Sequence, residues 1–227
     1  MALGALAAPP AHAQAPATGG QVWSTGNVWL QLPSRFRLLA TGEVNAGTDY
    51  SYQQWSGGIG VGYQWKRVSK LAHMVNINSD KESRAVVGVG YEYLWTDQEG
   101  ATTAEDRVIV DVTPRYRPKS HWLLDSRNRA EFRWVDGAYS SRFRTRITVE
   151  RDIPVRNGRL TPYASAEFFY DFARDSWDEQ QYAIGMELPY RRIFMVQAYY
   201  LYQHTTSAPQ NVNVIGITLN FFLRNGL

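Results

Sequence analysis

The chain has 227 residues, no cysteine and a formal net charge of +3. Without cysteine it can form no disulfide, no thiolate metal site and no thiol nucleophile. Lysine and arginine alternate with apolar or acidic residues instead of forming a run, so the weak positive charge predicts no nucleic-acid partner. The 14 tyrosines and 8 tryptophans favour strands. No stretch approaches the roughly 20 consecutive apolar residues of a membrane-spanning helix.

The first residues have the pattern of an export signal. Residues 1–13 contain a small apolar stretch (2–8) followed by Ala-His-Ala at 11–13, which places small residues three before and one before a cleavage point. The stretch 14–20, rich in alanine, proline and glycine, is predicted to be a flexible leader. The alternative is a disordered alanine-rich tail. We therefore expect an exported protein with one domain over 21–227.

Beyond residue 20 the hydropathy alternates with period two, which is typical of strands with one apolar face. In 36–46, for example, Phe36 and Leu38 lie on the face opposite Arg37. The pattern predicts eleven strands, at 21–32, 36–46, 54–65, 84–96, 107–117, 121–135, 142–151, 160–171, 179–190, 193–204 and 212–223. Single-chain bacterial barrels have even strand numbers, so we expect one more strand. A weaker alternation of apolar residues at 71–78 is the candidate for this twelfth strand.

Long strands joined by short turns are typical of a barrel that crosses a membrane. We expect an all-β fold, a transmembrane antiparallel up-and-down β-barrel of twelve strands, with ten as the alternative. The segments 117–120 and 189–192 are predicted to be tight periplasmic turns. The polar segments 96–105 and 173–178 are predicted to be longer outer loops.

Arginines and acids occupy every second position of successive strands, opposite apolar and aromatic residues. An arginine that faces lipid near the midplane of a barrel costs about 2–4 kcal/mol, so this face must point into the lumen. The predicted lumen residues are Arg115, Arg117, Arg127, Arg129, Glu131, Arg133, Arg142, Arg144, Arg146, Glu150, Glu167 and Asp171.

Two interpretations of the charged lumen stay open. In the first, the arginines line a water-filled channel and favour small anionic solutes. In the second, they pair with the acids across strands, and the barrel is closed and acts structurally or through its outer loops. Side chains fill the interior of eight-stranded barrels, whereas sixteen-stranded barrels enclose an open channel. A twelve-stranded barrel lies between these sizes, so the strand number does not decide between the two interpretations.

The aromatic residues alternate with aliphatic ones on the face that excludes charge. This pattern favours a girdle at the lipid interface over a stacking surface for sugars or bases. The predicted girdle residues are Trp55, Trp65, Tyr91, Tyr93, Trp95, Trp122, Trp134, Tyr182, Tyr200 and Tyr202.

We expect no enzyme activity, cofactor or metal. A lipid-modifying barrel enzyme would need a serine and a histidine on one face. After the predicted signal the histidines are His73, His121 and His204, and neither Ser120 nor Ser207 is spaced to share a face with one of them. A soluble ligand-binding barrel would need its apolar face inward, which the charged face argues against.

Several motifs together resemble a known family. They are the alternating arginines of 127–133 and 142–150, Pro-Tyr at 162–163, Glu-Phe-Phe-Tyr at 167–170 and Tyr-Tyr-Leu-Tyr-Gln at 199–203. The chain resembles an uncharacterised family of bacterial outer-membrane barrels, domain of unknown function 2490, over nearly all of the mature region. The resemblance implies a barrel in the bacterial outer membrane and no established activity.

The expected partners follow from this location. They are outer-membrane lipid, the barrel-assembly machinery and small anionic solutes. Outer-membrane barrels usually end on an aromatic residue that the insertion machinery recognises, whereas here Phe221 and Phe222 are followed by five further residues.

Overall fold

The computed structural model describes residues 18–48, 52–67, 78–118, 121–156, 158–190, 193–206 and 210–224. The strands are β1 (Thr18–Gln31), β2 (Phe36–Gly47), β3 (Tyr52–Arg67), β4 (Ser83–Gln98), β5 (Ala101–Tyr116), β6 (Trp122–Val135), β7 (Ala138–Arg151), β8 (Ile153–Val155), β9 (Gly158–Asp171), β10 (Ser176–Tyr190), β11 (Phe194–Thr205) and β12 (Gln210–Arg224). The predicted signal peptide and most of the predicted leader lie outside the described residues, as do residues 71–77 of the predicted twelfth strand.

The strands form a closed β-barrel, which confirms the predicted all-β barrel fold. Each of the eleven strongly predicted strands has a counterpart in the described residues, and neighbours along the chain pair in antiparallel fashion. The three-residue β8 pairs only with the beginning of β9 and is not part of the closed ring. The barrel therefore has eleven strands, and the predicted count of twelve or ten is wrong.

The barrel closes through a parallel seam between β1 and β12. The register is continuous from Thr18 opposite Asn211 to Gln31 opposite Arg224. An antiparallel meander reverses direction at each strand, so an odd number of strands leaves the first and last running the same way. Strands β1 and β12 consequently begin at one end of the barrel and finish at the other.

We call the end where β1 begins the hairpin end. Its connections include two-residue turns at Glu99-Gly100 and Asp136-Gly137, where all four residues have positive φ. Positive φ at both central residues defines a type I′ turn, whose twist matches that of the two strands it joins. Glycine adopts a positive φ without strain. Strands β4 and β5 pair up to Gln98 and Ala101, so the long loop predicted at 96–105 is wrong.

We call the opposite end the inturned end. Here β3 and β4 are joined by residues 68–82, and the described part of this connection contains a short 3₁₀ helix, Ser79–Glu82. Asn78, the last residue of the predicted twelfth strand, caps this helix by accepting a hydrogen bond from the backbone N–H of Asp80. The longest connection thus lies at the end where the sequence predicted tight turns.

The strands alternate between inward and outward side chains. In β12, Val212 and Val214 are buried on the inside, whereas Ile215 and Ile217 are exposed on the outside. The same alternation extends around the barrel, and the largest exposed fractions belong to outward isoleucines such as Ile59 (68%). Within the described residues there is no helix long and apolar enough to cross a bilayer.

Candidate functional site in the barrel lumen

A cavity of about 780 Å³ occupies the lumen. It is lined by inward side chains from both halves of the barrel, and it extends from Thr205 at the hairpin end to Lys81 at the inturned end. Among the described residues its lining includes ten basic and twelve acidic side chains. The lumen as a whole therefore has no positive excess, and any preference for anions must come from a local arrangement.

The predicted lumen face points inward. We call the inward residues of β5, β6, β7 and β9 the arginine wall. The predicted residues that line the cavity are Arg115, Arg127, Arg129, Arg133, Arg142, Arg144, Arg146, Glu150, Glu167 and Asp171. Glu131 lies fully buried behind the arginines of the same wall, and Arg117 directly follows β5 at the inturned end.

Glu131 is the centre of the wall. Its Oε2 lies 2.7 Å from Arg142 Nη2, and its Oε1 lies 2.8 Å from Arg144 Nη1. Arg107 and Arg129 approach the same carboxylate at 3.8 and 3.9 Å. One buried carboxylate thus offsets part of the charge of four guanidinium groups, which permits arginines to stand opposite one another on β6 and β7.

Two arginines each bind a carboxylate in bidentate fashion. Arg129 binds Asp111 at 2.8 and 2.9 Å, and Arg133 binds Glu105, which Arg107 also contacts, at 2.6 and 2.7 Å. Planar forks of this kind are among the stronger charged hydrogen bonds in proteins. Their partners therefore fix the positions of these two side chains.

Other arginines of the wall are less fully paired. Glu167 is shared by three of them: Oε1 accepts from Arg127 at 2.8 Å and from Arg144 at 3.0 Å, and Oε2 lies 3.5 Å from Arg146. Asp171, predicted to join this network, instead accepts the backbone N–H groups of Ala173 and Arg174 and caps the turn after β9.

Lys81 of the 3₁₀ helix crosses the lumen at the inturned end. Its Nζ lies 2.5 Å from Glu150 on β7 and 2.6 Å from Glu187 on β10. Burial alone would lower the pKa of Lys81, but the charges of Glu187 and Glu150 raise it above its ordinary value, so the ammonium group stays protonated.

The same short segment is also tied to the other side of the barrel. Asp80 pairs with Arg37 of β2 at 2.6 Å and accepts a hydrogen bond from Gln64 of β3 at 2.8 Å. Ser79 donates to Gln31 of β1. Because these partners face Glu150 and Glu187 across the barrel, the segment forms a polar bridge over the lumen.

The inward positions within residues 195–205 of β11, 212–222 of β12 and 21–31 of β1 carry no charged residue, and we call them the uncharged wall. Two apolar clusters lie within it, one around Val214 and Leu201 and the other around Phe222 and Met195. The ring of Tyr199 lies over Gly216, where an added Cβ would overlap it, so glycine is needed for this close approach. The parallel seam therefore lies within the uncharged wall of the lumen.

The predicted girdle residues all lie on outward positions. Eight of the ten are exposed, and Trp95 and Tyr202 are half-buried. Trp55 and Trp95 meet edge to face toward the hairpin end at 5.2 Å between ring centroids. At the other end Arg151 stacks over Trp122 at 5.3 Å. Their contact with lipid stays a prediction.

The histidines of the described chain do not converge with a serine. His204 Nδ1 lies 2.8 Å from the Asn211 side chain on the outer face, and His121 stands at a positive φ in the turn before β6. His73, Ser120 and Ser207 fall outside the described residues. The expectation that the chain is not an enzyme stays a prediction.

Sequence reasoning missed several members of the charged network. Arg107 and Glu105 occupy the same alternating face of β5 as Asp111. The period of two would therefore have been sufficient to place both among the predicted lumen residues. The period of two placed Arg37 on the polar face of β2, but it could not show its partner Asp80 or the crossing of the lumen by Lys81. Asp80 and Lys81 belong to a connection whose path depends on the tertiary fold.

Comparison with known proteins shows the family to which the chain belongs. No curated protein matches the chain. A family model described as "Protein of unknown function (DUF2490)" matches residues 21–214, which include most of the barrel from β1 to the beginning of β12. The chain therefore belongs to this family of unknown function.

Proposed function

We propose that the chain is an outer-membrane β-barrel protein whose lumen is a solvated compartment, closed to ion flow at the inturned end. The observation that carries the membrane location is the outer surface. Between the strand ends, Asp106 is the one charge at the outward positions of the described strands, and large apolar side chains such as Ile59, Ile184 and Ile215 are more than 60% exposed. In water such a surface would promote aggregation, whereas lipid tails solvate it.

The ends of the barrel support the same location. Outward aromatic residues gather toward both ends, as interfacial girdles do in membrane barrels. The groups are Trp55, Trp95, Trp134, Tyr139, Tyr170 and Trp177 toward the hairpin end, and Phe36, Tyr63, Trp65, Trp122, Tyr190, Phe194 and Phe221 toward the inturned end. Outer-membrane lipid is therefore the first proposed partner.

The last strand supports insertion by the barrel-assembly machinery, the second proposed partner. Strand β12 exposes an unbroken series of apolar side chains on its outer face, from Ile215 to Leu223, and Phe221 contacts Phe194 there at 4.8 Å between ring centroids. An apolar, aromatic final strand is what such a machinery would have to recognise.

The polar bridge supports a closed lumen. Lys81, Asp80 and Ser79 connect five strands on opposite sides of the barrel, and the arginine wall beyond them is extensively salt-bridged. A channel that favours small anions is the second candidate. The observation in its favour is the group of incompletely paired arginines around Glu167.

The membrane location can be tested by matched charge insertions in β3. Ile59→Arg places a guanidinium group on the outer face, and we expect it to lower the yield of insertion into phospholipid vesicles by an amount equivalent to about 2–4 kcal/mol. Ser56→Arg places the same group inside, beside Glu92, and should insert normally. Equal yields for both variants, measured by the heat-dependent electrophoretic mobility of the folded barrel, would contradict a lipid-facing outer surface.

The closed lumen can be tested by conductance in planar bilayers. We expect the wild-type protein to be silent, and a variant without the bridge, Lys81→Met with Glu150→Gln and Glu187→Gln, to give ion-conducting steps. Arg84→Met, which removes an exposed cation at the same end, is the control and should stay silent. Anion-selective steps from the wild-type protein would instead favour the channel.

A further inference from the structure

Three arginines occupy neighbouring inward positions of β5, β6 and β7, between mid-height of the arginine wall and the inturned end. Arg127 on β6 stands directly opposite Arg146 on β7 in the strand ladder. Arg115 on β5 stands opposite Asp125, the next inward residue along β6 from Arg127. All three arginines line the cavity. We call them the arginine triad.

The triad has hydrogen-bond donors that the described residues do not satisfy. The Nε and Nη1 atoms of Arg115 and the Nε atom of Arg127 are buried without an acceptor. Among the described residues Arg115 forms no ion pair within 4.0 Å, even with Asp125, which lies opposite it in the strand ladder. A buried charged donor without a partner is costly, so these atoms indicate a position for an acceptor.

Within the part of the chain that the structure describes, the one carboxylate bound to the triad is already shared. Glu167 accepts from Arg127 and Arg144 through one oxygen, and its other oxygen reaches Arg146 at 3.5 Å. The Arg146 side chain remains 34% exposed to the lumen. By contrast, Arg129 and Arg133 each hold a bidentate carboxylate on the same wall. Positive charge therefore exceeds negative charge at the triad, whereas it does not over the lumen as a whole.

We infer that the arginine triad is a binding site for the oxyanion group of a small solute, a carboxylate or a phosphate, held inside the barrel. Guanidinium forks match the two oxygens of such groups, and several arginines that line one part of a cavity recognise an anion more strongly than a single arginine does. The cavity is large enough for a compact organic anion. This inference rests on the proposed function, since it requires a folded barrel with a solvated lumen.

The site can be tested by isothermal titration calorimetry on the full chain refolded in detergent micelles. The probes are inorganic phosphate and acetate at constant ionic strength, and the probe that binds more tightly identifies the class of oxyanion. We expect Arg115→Gln with Arg146→Gln to weaken binding by at least about tenfold, because each lost charged hydrogen bond is equivalent to about that factor. Glu167→Gln removes the competing carboxylate and should tighten binding.

A matched control removes a satisfied ion pair from the same wall. Arg129→Gln with Asp111→Asn eliminates one arginine and its own carboxylate, and should bind the probe as tightly as the wild-type protein. Equal affinity of the wild type and the Arg115→Gln, Arg146→Gln variant would overturn the site. So would a wild-type barrel that binds neither probe, or a Glu167→Gln variant that binds more weakly.

Different results would overturn the proposed anion site and the proposed membrane location. Binding is measured in micelles, and the folded state of each variant is established by its near-ultraviolet circular dichroism. A barrel that inserts into vesicles without binding either probe overturns the site alone. A barrel that binds phosphate in micelles, but whose insertion is equally tolerant of arginine at positions 59 and 56, overturns the membrane location alone.

Discussion

The arginine wall and the uncharged wall face each other across the same lumen, and they are stabilised in different ways. On the first, charges neutralise one another around Glu131, Glu167, Asp111 and Glu105. On the second, apolar contacts around Val214 and Phe222 exclude charge altogether. The interior of a barrel therefore need not be uniformly polar. Each strand has to be compatible only with the two strands to which it is hydrogen-bonded.

The largest effect is expected from a charge placed on the uncharged wall. Val214 is fully buried beside Val212, Leu201 and Trp23, and the uncharged wall around it offers no cation. Val214→Asp would bury an unpaired carboxylate, and we expect the barrel not to refold. Thr113→Asp on the arginine wall, two residues from Arg115, is the control and should refold. Heat-dependent electrophoretic mobility distinguishes the two outcomes, and normal refolding of Val214→Asp would show that the walls do not differ as described.

The next effect is expected from removing the centre of the arginine wall. Glu131→Gln leaves Arg142 and Arg144 without their shared charge, and the loss of one member of a buried ionic cluster costs about 3–5 kcal/mol. Chemical denaturation of the refolded barrel, followed by tryptophan fluorescence, measures the change. Thr218→Val, on the uncharged wall, should change the free energy of unfolding by less than about 1 kcal/mol. Similar losses in both variants would contradict the central role of Glu131.

A smaller effect is expected at the close contact beside the seam. Gly216→Ala introduces a methyl group where the Tyr199 ring lies, and overpacking of this kind costs about 1–3 kcal/mol. In the background of Tyr199→Ala the same change should cost little, because the ring is gone. A double-mutant cycle on unfolding free energies measures the coupling. A cost that persists without the ring would assign it to the strand backbone.

The smallest effect is expected from neutralising one complete ion pair. Arg129→Gln with Asp111→Asn removes both charges of a bidentate pair, and replacement of a whole pair by neutral residues is often close to neutral for stability. We expect a change of less than about 1 kcal/mol in the free energy of unfolding. The single change Arg129→Gln should cost more, because Asp111 would lose its partner. The reverse order would mean that Asp111 is compensated by other groups.

The sequence predicted much of the arginine wall because its signal is local. Strands have a period of two, and the cost of arginine in lipid settles which face points inward, so Arg127, Arg144 and Glu167 could be placed before their contacts were known. It did not predict the uncharged wall. The inward Val212 and Val214 alternate with outward Ile215 and Ile217, so both faces of β12 are apolar and hydropathy does not distinguish them.

The all-β class, the position of eleven strands and the inward orientation of the charged residues follow from the amino-acid sequence alone, because each depends on neighbouring positions along one strand. The number of strands in the ring, the parallel seam between β1 and β12, and the polar bridge through Lys81 are defined only in the folded barrel. These features depend on pairings between residues distant in the chain, such as Lys81 with Glu187, or Thr18 with Asn211. No local period encodes them, since they are fixed only when the ring closes and buried charges find their partners.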